Sequence, residues 1–388
     1  MKNLKKALAL TIASVSVFGT IASADFLNPI HFPTTIQGLV NSPNSETAEN
    51  MAWERVKAGA NTTLTYDAEK GAMVIDAQQV AQTSGQLKSN FTTIYTNGWG
   101  HNGIIDGAAD ERHSSFGKIK SVAKFSFDAV NTENGYIHYY DTPFYVKFAG
   151  AYNSTYGECA GMYRSGYYTN QGLDWNSATT LRLFGKSANA VLSKNGVNLG
   201  DVLTLTMEAD CVADTASLVL SKDTTELIRV DVTEDDNIDI VCVKAGMGAR
   251  VCSGWDTSWY EFSTVREQFV PKDAKVEKSG NTVTGKIKVA NNAESNATAV
   301  KNPSATVIMA LYDANGKMID CGMSAATELP ERNGNAGDTE AARIQAPPTF
   351  VEITATAEVS DYAYAKFFVW DGANTMNPFT EAVKVNAN

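Results

Sequence analysis

The stretch from Asp201 to Val232, DVLTLTMEADCVADTASLVLSKDTTELIRVDV, shows the pattern that dominates this chain. Apolar and polar residues alternate in three runs, which are separated by an acidic tip and then by Lys222-Asp223. Alternation with a period of two is typical of half-buried strands, and short polar breaks are typical of hairpin turns. The stretch therefore predicts an antiparallel meander of three strands.

The same period of two recurs through the rest of residues 25–270. The further strand-like segments are Lys118–Phe127, Tyr136–Tyr140, Phe144–Phe148, Thr179–Phe184 and Ile238–Val243. Helical signals are weak, and the best of them covers Ser45–Ala58. No alternation of strands with helices is present, which argues against a parallel sheet. We therefore predict an all-β fold, with residues 25–270 forming a large antiparallel sandwich of the jelly-roll or lectin-like type.

The pattern of residues 201–232 resembles the antiparallel meander of concanavalin-like sandwiches of the laminin-G type. The resemblance is one of pattern and covers some thirty residues. It implies a protein that binds glycans on a concave sheet face or at the loop ends of the sandwich.

Residues 271–281 (PKDAKVEKSGN) predict a linker, because a proline is followed by alternating charges and then by Ser-Gly-Asn. Beyond it, the strand pattern restarts, and Asp313-Ala-Asn-Gly316 predicts a tight hairpin turn. The strand-like segments are Val283–Ala290, Ala305–Tyr312, Lys317–Cys321, Thr339–Ile344, Thr349–Thr356 and Tyr362–Trp370. Residues 282–388 are therefore predicted to form a second, smaller β-sandwich.

Two motifs in this second region are VIMALYDANGKMIDCG from Val307 and AKFFVWDGANTMNPFTEA from Ala365. With them, residues 283–385 resemble the immunoglobulin-like domain that closes many secreted proteins of clostridial-type bacteria, including proteins that act on carbohydrates. The resemblance implies an immunoglobulin-like accessory or spacer module, and it implies nothing about a specific activity.

The first 24 residues have the three parts of a secretory signal peptide. Lys2, Lys5 and Lys6 give a positive start, residues 7–21 are apolar, and Ala22-Ser-Ala24 has the small residues of a cleavage site. The apolar segment is shorter than the ~20 residues of a membrane span. We therefore expect a secreted, extracellular protein that begins near Asp25, is associated with the cell surface at most indirectly, and is not inserted in a membrane.

The charge of the chain restricts its partners. The formal net charge is −11, and removal of the three lysines of the signal peptide would make it −14. An acidic surface repels phosphate backbones, so nucleic acid is not expected as a partner. The expected partner is an extracellular or cell-wall polysaccharide, and other surface proteins are a further possibility.

Aromatic residues within Gly- and Asn-rich segments form three clusters that suit sugar binding. Flat rings pack against the CH face of a sugar, and neighbouring polar groups satisfy its hydroxyls. An alternative is that the rings close the ends of the sandwich core. The predicted ligand-binding residues are Tyr95, Trp99, His101, Asn102, Tyr163, Arg164, Tyr167, Trp175, Trp255 and Trp259.

A second hypothesis is a polysaccharide lyase on the same sandwich. By alternation, Tyr136, His138 and Tyr140 share one strand face, and Lys147 or Arg182 could neutralise a uronate carboxylate beside them. The segment Tyr145–Asn153 is similar to a Lys-x-Gly-x-Tyr strand of jelly-roll lyases, although it contains an insertion. If the protein is an enzyme, the predicted catalytic residues are His138, Tyr136, Tyr140 and Lys147.

A glycoside hydrolase would need two facing carboxylates, and no Glu-x-Asp-x-x-Glu run is present. The leading hypothesis is therefore a non-catalytic carbohydrate-binding or cell-surface protein. A lyase or hydrolase is the second hypothesis, and a structural surface or matrix protein is the third. The third predicts that Trp99, Trp175, Trp255 and Trp259 are buried.

The chain has five cysteines, so at least one cannot pair within the chain. Cys242 and Cys252 could join a hairpin, or they could pack as small apolar thiols. No Cys or His spacing indicates zinc. No cofactor is expected; structural Ca²⁺ is compatible with the acidic loops but is not specifically indicated.

Overall fold

The computed structural model describes residues 27–32, 36, 40, 54–57, 62–77, 91–96, 114–130, 144–152, 155–164, 175–176, 178–240, 243–244, 247–252, 255–293, 303–331, 348–372 and 377–387. The elements with complete bounds are strands and two short 3-10 helices, Leu192–Asn195 and Glu234–Asp236. Contacts divide the chain into two units, of which one spans His31–Arg266 and the other includes Asn28 and the chain from Glu267. The predicted all-β fold with antiparallel sheets is confirmed.

The strands up to the boundary at Glu267 are β1 (Pro29–Phe32), β2 (Glu54–Lys57), β3 (Thr62–Asp67), β4 (Ala72–Ala77), β5 (Phe91–Thr96), β6 (Ser114–Ser115), β7 (Lys118–Val130), β8 (Phe144–Tyr152), β9 (Thr155–Arg164), β10 (Ala178–Leu183), β11 (Lys186–Val191), β12 (Val202–Asp210), β13 (Thr215–Lys222), β14 (Thr225–Val232), β15 (Val243–Lys244), β16 (Met247–Cys252) and β17 (Trp255–Glu267). Two large sheets contain most of them. Sheet 1 has the order β14-β13-β12-β7-β17-β4-β3, and sheet 2 has the order β11-β10-β9-β8-β16-β5-β2.

The two sheets pack face to face around an aromatic core. Phe144 of sheet 2 lies with its ring centre 5.3 Å from that of Phe125 and 5.7 Å from that of Trp259, both of sheet 1. All three side chains are fully buried. Aromatic pairs at this spacing stabilise a core beyond the area that they bury. The first unit is therefore an antiparallel sandwich, as predicted.

The meander predicted from residues 201–232 is present, because β12, β13 and β14 are consecutive neighbours in sheet 1. Asp214 and Asp223 lie at its two turns with φ values of 52° and 51°. Aspartate tolerates this left-handed conformation better than most residues do. The acidic tips that separate the three runs are thus the turns themselves.

The helix predicted over Ser45–Ala58 is wrong where the structure can test it. Residues 54–57 form β2, which pairs with β5 at the edge of sheet 2, and the rest of that segment lies outside the described residues. The helical signal was weak, and pairing with a neighbouring strand overrides weak local propensity.

The second unit has two antiparallel sheets of its own. Its strands are β18 (Phe269–Ser279), β19 (Thr282–Asn291), β20 (Ser304–Tyr312), β21 (Met318–Met323), β22 (Thr327–Glu328), β23 (Val351–Glu358), β24 (Tyr364–Trp370) and β25 (Val383–Asn386). One sheet has the order β18-β19-β23 and the other β21-β20-β24-β25, with β22 paired to β20. Between them lies a core that includes Ile287, Met309 and Phe367. The resemblance to immunoglobulin-like domains stays a prediction.

The linker predicted over residues 271–281 is wrong. Strand β18 covers most of it, and Gly280, with a φ of 61°, lies in the hairpin turn before β19. The alternating residues of KVEK are a strand pattern, in which Val276 is buried and its charged neighbours are exposed. Pro271 is tolerated because β18 lies at the end of its sheet, where one side of the backbone needs no partner.

Candidate functional site

Tyr163 lies near the end of β9, and its ring covers Gly161 of the same strand. A Cβ atom built on Gly161 would lie 3.0 Å from both Cε2 and the hydroxyl oxygen of Tyr163. Contacts this short are tighter than most real Cβ contacts, so a larger residue at position 161 would push the ring outward by a few tenths of an ångström. The ring therefore rests against the backbone of sheet 2, and the side chain is partly exposed.

Tyr163 belongs to the outer face of sheet 2, opposite the core. Its neighbours Met162 and Arg164 are fully buried, and the Arg164 guanidinium lies 4.9 Å from the ring centre of Trp255 in sheet 1. Successive residues of a strand point to opposite faces. The side chain between two core residues therefore faces away from the sandwich interior.

Two cations flank the Tyr163 ring. Lys147 on β8 and Arg182 on β10 are both register partners of Gly161, one on each side. The Lys147 Nζ lies 5.2 Å from the ring centre of Tyr163, and the Arg182 Cζ lies 5.0 Å from it. Both distances are within the ~6 Å over which a ring attracts a cation. The ring thus holds two positive charges at one point of the sheet surface.

Tyr145 supports this arrangement from β8. Its ring centre lies 6.4 Å from that of Tyr163 and 4.1 Å from the Lys147 Nζ. Tyr145 is only 6% exposed, whereas Arg182 is exposed and Lys147 is partly exposed. We call Tyr145, Lys147, Tyr163 and Arg182 the tyrosine–cation cluster; in it, Tyr145 is buried beside Lys147, and the other three side chains are at least partly exposed.

The register of sheet 2 extends the cluster into two rows that cross all seven strands. The row through Gly161 consists of Arg55, Tyr95, Gly248, Lys147, Gly161, Arg182 and Ser187. The adjacent row consists of Lys57, Thr93, Arg250, Tyr145, Tyr163, Thr180 and Asn189. Lys or Arg occupies five of these positions, and Asp or Glu occupies none.

The outer face of sheet 1 is built differently. Lys120 and Glu208 are register partners there, with an Nζ to Oε1 distance of 2.9 Å. Lys124 likewise pairs with Glu261 at 2.7 Å. Each of these lysines thus has a carboxylate facing it within the sheet. The outer face of sheet 1 thus pairs these two lysines with carboxylates of the same sheet.

Three of the predicted ligand residues lie in the core instead of at a surface. Trp255 and Trp259 are fully buried because Trp255–Glu267 is the central strand β17 and not a loop. Arg164 is also fully buried, and its Nη2 donates a hydrogen bond to the carbonyl oxygen of Trp175 at 2.9 Å. Their predicted role as exposed ligand contacts is wrong, because strand pairing places them between the sheets.

Trp175 is partly buried and belongs to the same packing arrangement. The Arg164 Cζ lies 4.6 Å from its ring centre, and the Trp255 ring centre lies 6.3 Å away. The faces of the surrounding rings stabilise the buried guanidinium cation of Arg164. This packing agrees with the alternative in which the rings of Trp175, Trp255 and Trp259 belong to the sandwich core and do not bind sugar.

Several predicted residues cannot be compared with the structure. Tyr95 lies on β5 in a row of sheet 2, and only its backbone position is described. The others lie outside the described residues, so their roles stay predictions; they are Trp99, His101, Asn102, Tyr167, Tyr136, His138 and Tyr140. Cys242 is also outside them, so its proposed pairing with Cys252 stays untested.

Among the residues that the structure describes, no group of three His, Cys, Asp or Glu side chains is arranged to hold a metal ion. In the same part of the chain, no helix combines the length and the apolar character needed to cross a membrane. The predicted lack of a metal cofactor stays a prediction.

The cluster joins residues that the sequence had assigned to separate sites. The sequence pattern predicts that Tyr163 lies in a sugar-binding loop and that Lys147 or Arg182 neutralises a carboxylate in a lyase. It assigns no role to Gly161. The alternation of GMYR at the end of β9 was the available signal, because it places Gly161 and Tyr163 on the face opposite Met162 and Arg164.

The residues and sheets described above define an all-β protein of two antiparallel units, in which one sheet face carries the tyrosine–cation cluster. No protein-family model matches the chain, and no curated protein matches it. Among solved structures, it is similar to lectin I-B4 from Griffonia simplicifolia, with 10% identity and a TM-score of 0.31 over 56% of this chain and 95% of the lectin.

Two other similar structures cover a comparable share of the chain. Peanut lectin has 11% identity and a TM-score of 0.33, over 61% of this chain and 97% of the lectin. An alginate lyase from Klebsiella pneumoniae has 12% identity and a TM-score of 0.32, over 52% of this chain and 83% of the lyase. Scores this low do not establish a relationship, so the sandwich architecture rests on the sheets themselves.

Proposed function

We propose that this is a secreted protein that binds carbohydrate through the outer face of sheet 2, centred on the tyrosine–cation cluster. The observation that carries the proposal is the Tyr163 ring, which rests on Gly161 between Lys147 and Arg182 on the face opposite the core. A partly exposed ring fixed against a sheet is a stacking surface for a sugar. The two cations supply hydrogen-bond donors for sugar oxygens.

The design of the face supports binding more than folding. The Tyr163 ring is partly exposed on the face opposite the core, and Gly161 leaves room for it against the sheet. Rigid strands also hold the three groups in place before a ligand arrives, which reduces the entropy lost on binding.

The test is a glycan array followed by affinity electrophoresis in gels containing each retained polysaccharide. We expect wild-type protein to be retarded and Tyr163→Ala to lose at least about tenfold in affinity, equivalent to about 1.4 kcal/mol. Tyr66→Ala is the matched control, because Tyr66 is an exposed tyrosine on β3 of sheet 1.

Retention of no polysaccharide by the folded wild-type protein would contradict the proposal. Equal losses in Tyr163→Ala and Tyr66→Ala would also contradict it, since the effect would then not belong to sheet 2. Secretion is tested separately, by N-terminal sequencing of exported protein, which we expect to begin near Asp25.

A lyase is the second candidate, and the placement of Lys147 favours it. Lys147 lies between two tyrosines with Arg182 nearby, and cations of this kind neutralise a carboxylate while a base removes the adjacent proton. The assay is incubation with polygalacturonate while the absorbance of unsaturated chain ends is followed. An increase that Lys147→Gln abolishes would favour the lyase over a binding protein.

A further inference from the structure

We propose a second sugar-binding site, on the outer face of sheet 1, where Asp128 and Tyr260 bind a neutral sugar unit with two adjacent hydroxyl groups. This site goes beyond the proposed function, because it lies on the other sheet from the tyrosine–cation cluster, and neither site depends on the other. Two β-bulges, the hydrogen bonds of the Asp128 carboxylate and the partial exposure of Tyr260 carry the inference.

The two β-bulges lie close together on the neighbouring strands β7 and β17. The register shift after Asp256 leaves Asp128 of β7 as an extra residue without a partner on β17. The register shift after Trp259 leaves Tyr260 as the extra residue of β17. A bulge bends its strand and redirects a side chain, and bulges are over-represented next to active sites. Both strands thus depart from regular pairing at the same point of sheet 1.

The register pair between the two bulges, Ser126 and Ser258, points away from the core of the sandwich. Ser126 lies on β7 between Phe125 and Phe127, which are buried core residues. Ser258 is its register partner on β17 and precedes the core residue Trp259. Because successive residues of a strand point to opposite faces, the serine pair belongs to the outer face of sheet 1.

Asp128 and Tyr260 both contact this serine pair. Ser126 Oγ donates a hydrogen bond to Oδ1 of Asp128 at 2.5 Å, and Ser258 Oγ donates one to Oδ2. The hydroxyl oxygen of Tyr260 lies 3.4 Å from Ser126 Oγ. Both serines are fully buried, so they hold the carboxylate in place and are positioning residues that do not touch a ligand.

The carboxylate of Asp128 keeps acceptor capacity that its neighbours on the sheet use for ion pairs. Glu261 meets Lys124 at 2.7 Å, whereas the ion pair that the described residues give Asp128 is with Lys70 at 3.9 Å. That separation is longer than a hydrogen bond. A carboxylate accepts about four hydrogen bonds. The two serine hydroxyls take one at each oxygen of Asp128, so each oxygen can accept another from a ligand.

The groups that a ligand can reach suit a sugar. The side chain of Asp128 is 24% exposed and that of Lys70 49%, and the Tyr260 ring is partly exposed. Two adjacent hydroxyls can donate to the two oxygens of Asp128, Lys70 can donate to a third oxygen, and the ring can pack against the CH face. Because the charges of Asp128 and Lys70 cancel, a neutral sugar fits this site.

The experiment uses three neutral hexasaccharides, cellohexaose, mannohexaose and β-1,4-galactohexaose, each at millimolar concentration. The protein is labelled with 3-fluorotyrosine, and Tyr260→Phe assigns the fluorine NMR signal of Tyr260. Calorimetry then measures the affinities of wild type, Asp128→Asn, Tyr260→Ala and Tyr163→Ala. Glu208→Gln is the matched control, because it removes another carboxylate of the same sheet face, one that is paired with a lysine. Thermal melts confirm folding.

We expect at least one hexasaccharide to shift the Tyr260 signal, in wild type and in Tyr163→Ala alike. Asp128→Asn is expected to lose at least about tenfold in affinity for it, because a charged acceptor is removed. Tyr260→Ala is expected to lose as much, because the ring surface is removed, and it tests the site if Asp128→Asn does not fold. Glu208→Gln should stay within about twofold of wild type, since surface ion pairs contribute little.

Three results would overturn the inference. The first is an unchanged Tyr260 signal with all three hexasaccharides. The second is an equal loss in Glu208→Gln and Asp128→Asn, because the effect would then belong to the charge of the sheet and not to this site. The third is binding that Tyr163→Ala abolishes and Asp128→Asn leaves unchanged, which would assign the sugar to sheet 2 and leave the proposed function intact.

Discussion

At the scale of single residues, Gly161 influences the position of the Tyr163 ring in the proposed site. The ring rests close to the sheet because no Cβ lies beneath it. The atoms that a Cβ would displace are the outer part of a side chain, which can rotate away without disturbing the backbone. The position therefore controls the geometry of the ring more than the stability of the strand.

Replacing Gly161 by Val is expected to abolish the stacking surface and leave the fold intact. The added side chain would displace the Tyr163 ring, while a β-branched residue suits a strand. We expect a loss of glycan affinity similar to that of Tyr163→Ala, with a melting temperature within a few degrees of wild type. Wild-type affinity in Gly161→Val would show that the ring position does not matter.

Asp201 provides a pH-dependent contribution at the residue scale. Its pKa is lowered from 3.8 by the backbone N–H of Asn198, which donates to Oδ2 at 2.7 Å, and by Lys222, whose Nζ lies 2.6 Å from the same oxygen. A carboxyl whose pKa is lower in the folded state stabilises the fold above its unfolded pKa. That stabilisation is lost as the pH falls through the folded value.

Asp201→Asn is therefore expected to be less stable than wild type at pH 7 and equally stable in strong acid. The measurement is the urea midpoint of both proteins from pH 7 down to pH 2.5. The difference should shrink below pH 3.8, and a difference that stays constant or grows toward acid would contradict the expected sign. Glu226→Gln, at another carboxylate of sheet 1, tests whether the effect is particular to Asp201.

At the scale of elements, the two sheets of the second unit approach each other closely where β21 meets β23. A Cβ on Gly322 would lie 1.9 Å from the carbonyl oxygen of Thr356. The obstacle is backbone, which cannot rotate away as a side chain can. The absence of a side chain at one residue thus sets how closely the two strands pack.

Gly322→Ala is expected to destabilise the second unit by about 3 kcal/mol or more, because the strands must separate to admit the methyl group. Met323→Ala is the control on the same strand; Met323 is 42% exposed, so its loss should change stability by about 0.5 kcal/mol or less. Chemical denaturation monitored by circular dichroism measures both. A fully stable Gly322→Ala would show that the strands can shift freely.

At the scale of the whole molecule, each unit has a hydrophobic core between its own sheets. The core of the second unit consists of residues from Phe269 to Phe379, and the core of the first includes Phe125, Phe144 and Trp259. Each core is built from its own pair of sheets. A perturbation of one core should therefore affect mainly the unit that contains it.

Calorimetry of the full chain is expected to show two transitions. Trp259→Ala should lower one of them strongly, because deleting a buried tryptophan costs about 3–5 kcal/mol, and Gly322→Ala should lower the other. The combined variant should show both shifts, since sites in separate cores add. A single transition that both variants lower equally would show that the units unfold together.

The sequence by itself determined the all-β fold, the antiparallel meander of residues 201–232 and the existence of a second β-unit. These follow from local alternation and turn residues, which act over a few positions. It also indicated that Tyr163, Lys147 and Arg182 carry chemistry. Local patterns misled at residues 271–281 and at Trp255–Trp259, where strands resemble a charged linker and an aromatic loop.

Only the tertiary structure decided which of these residues meet. Lys147, Gly161 and Arg182 come from three strands, and their adjacency depends on a register that no short stretch of sequence encodes. The burial of Trp255 and Trp259 likewise depends on β17 being an inner strand of sheet 1, between β7 and β4. Strand pairing and sheet packing are non-local, so they separate the partly exposed ring of Tyr163 from the rings that fill the core.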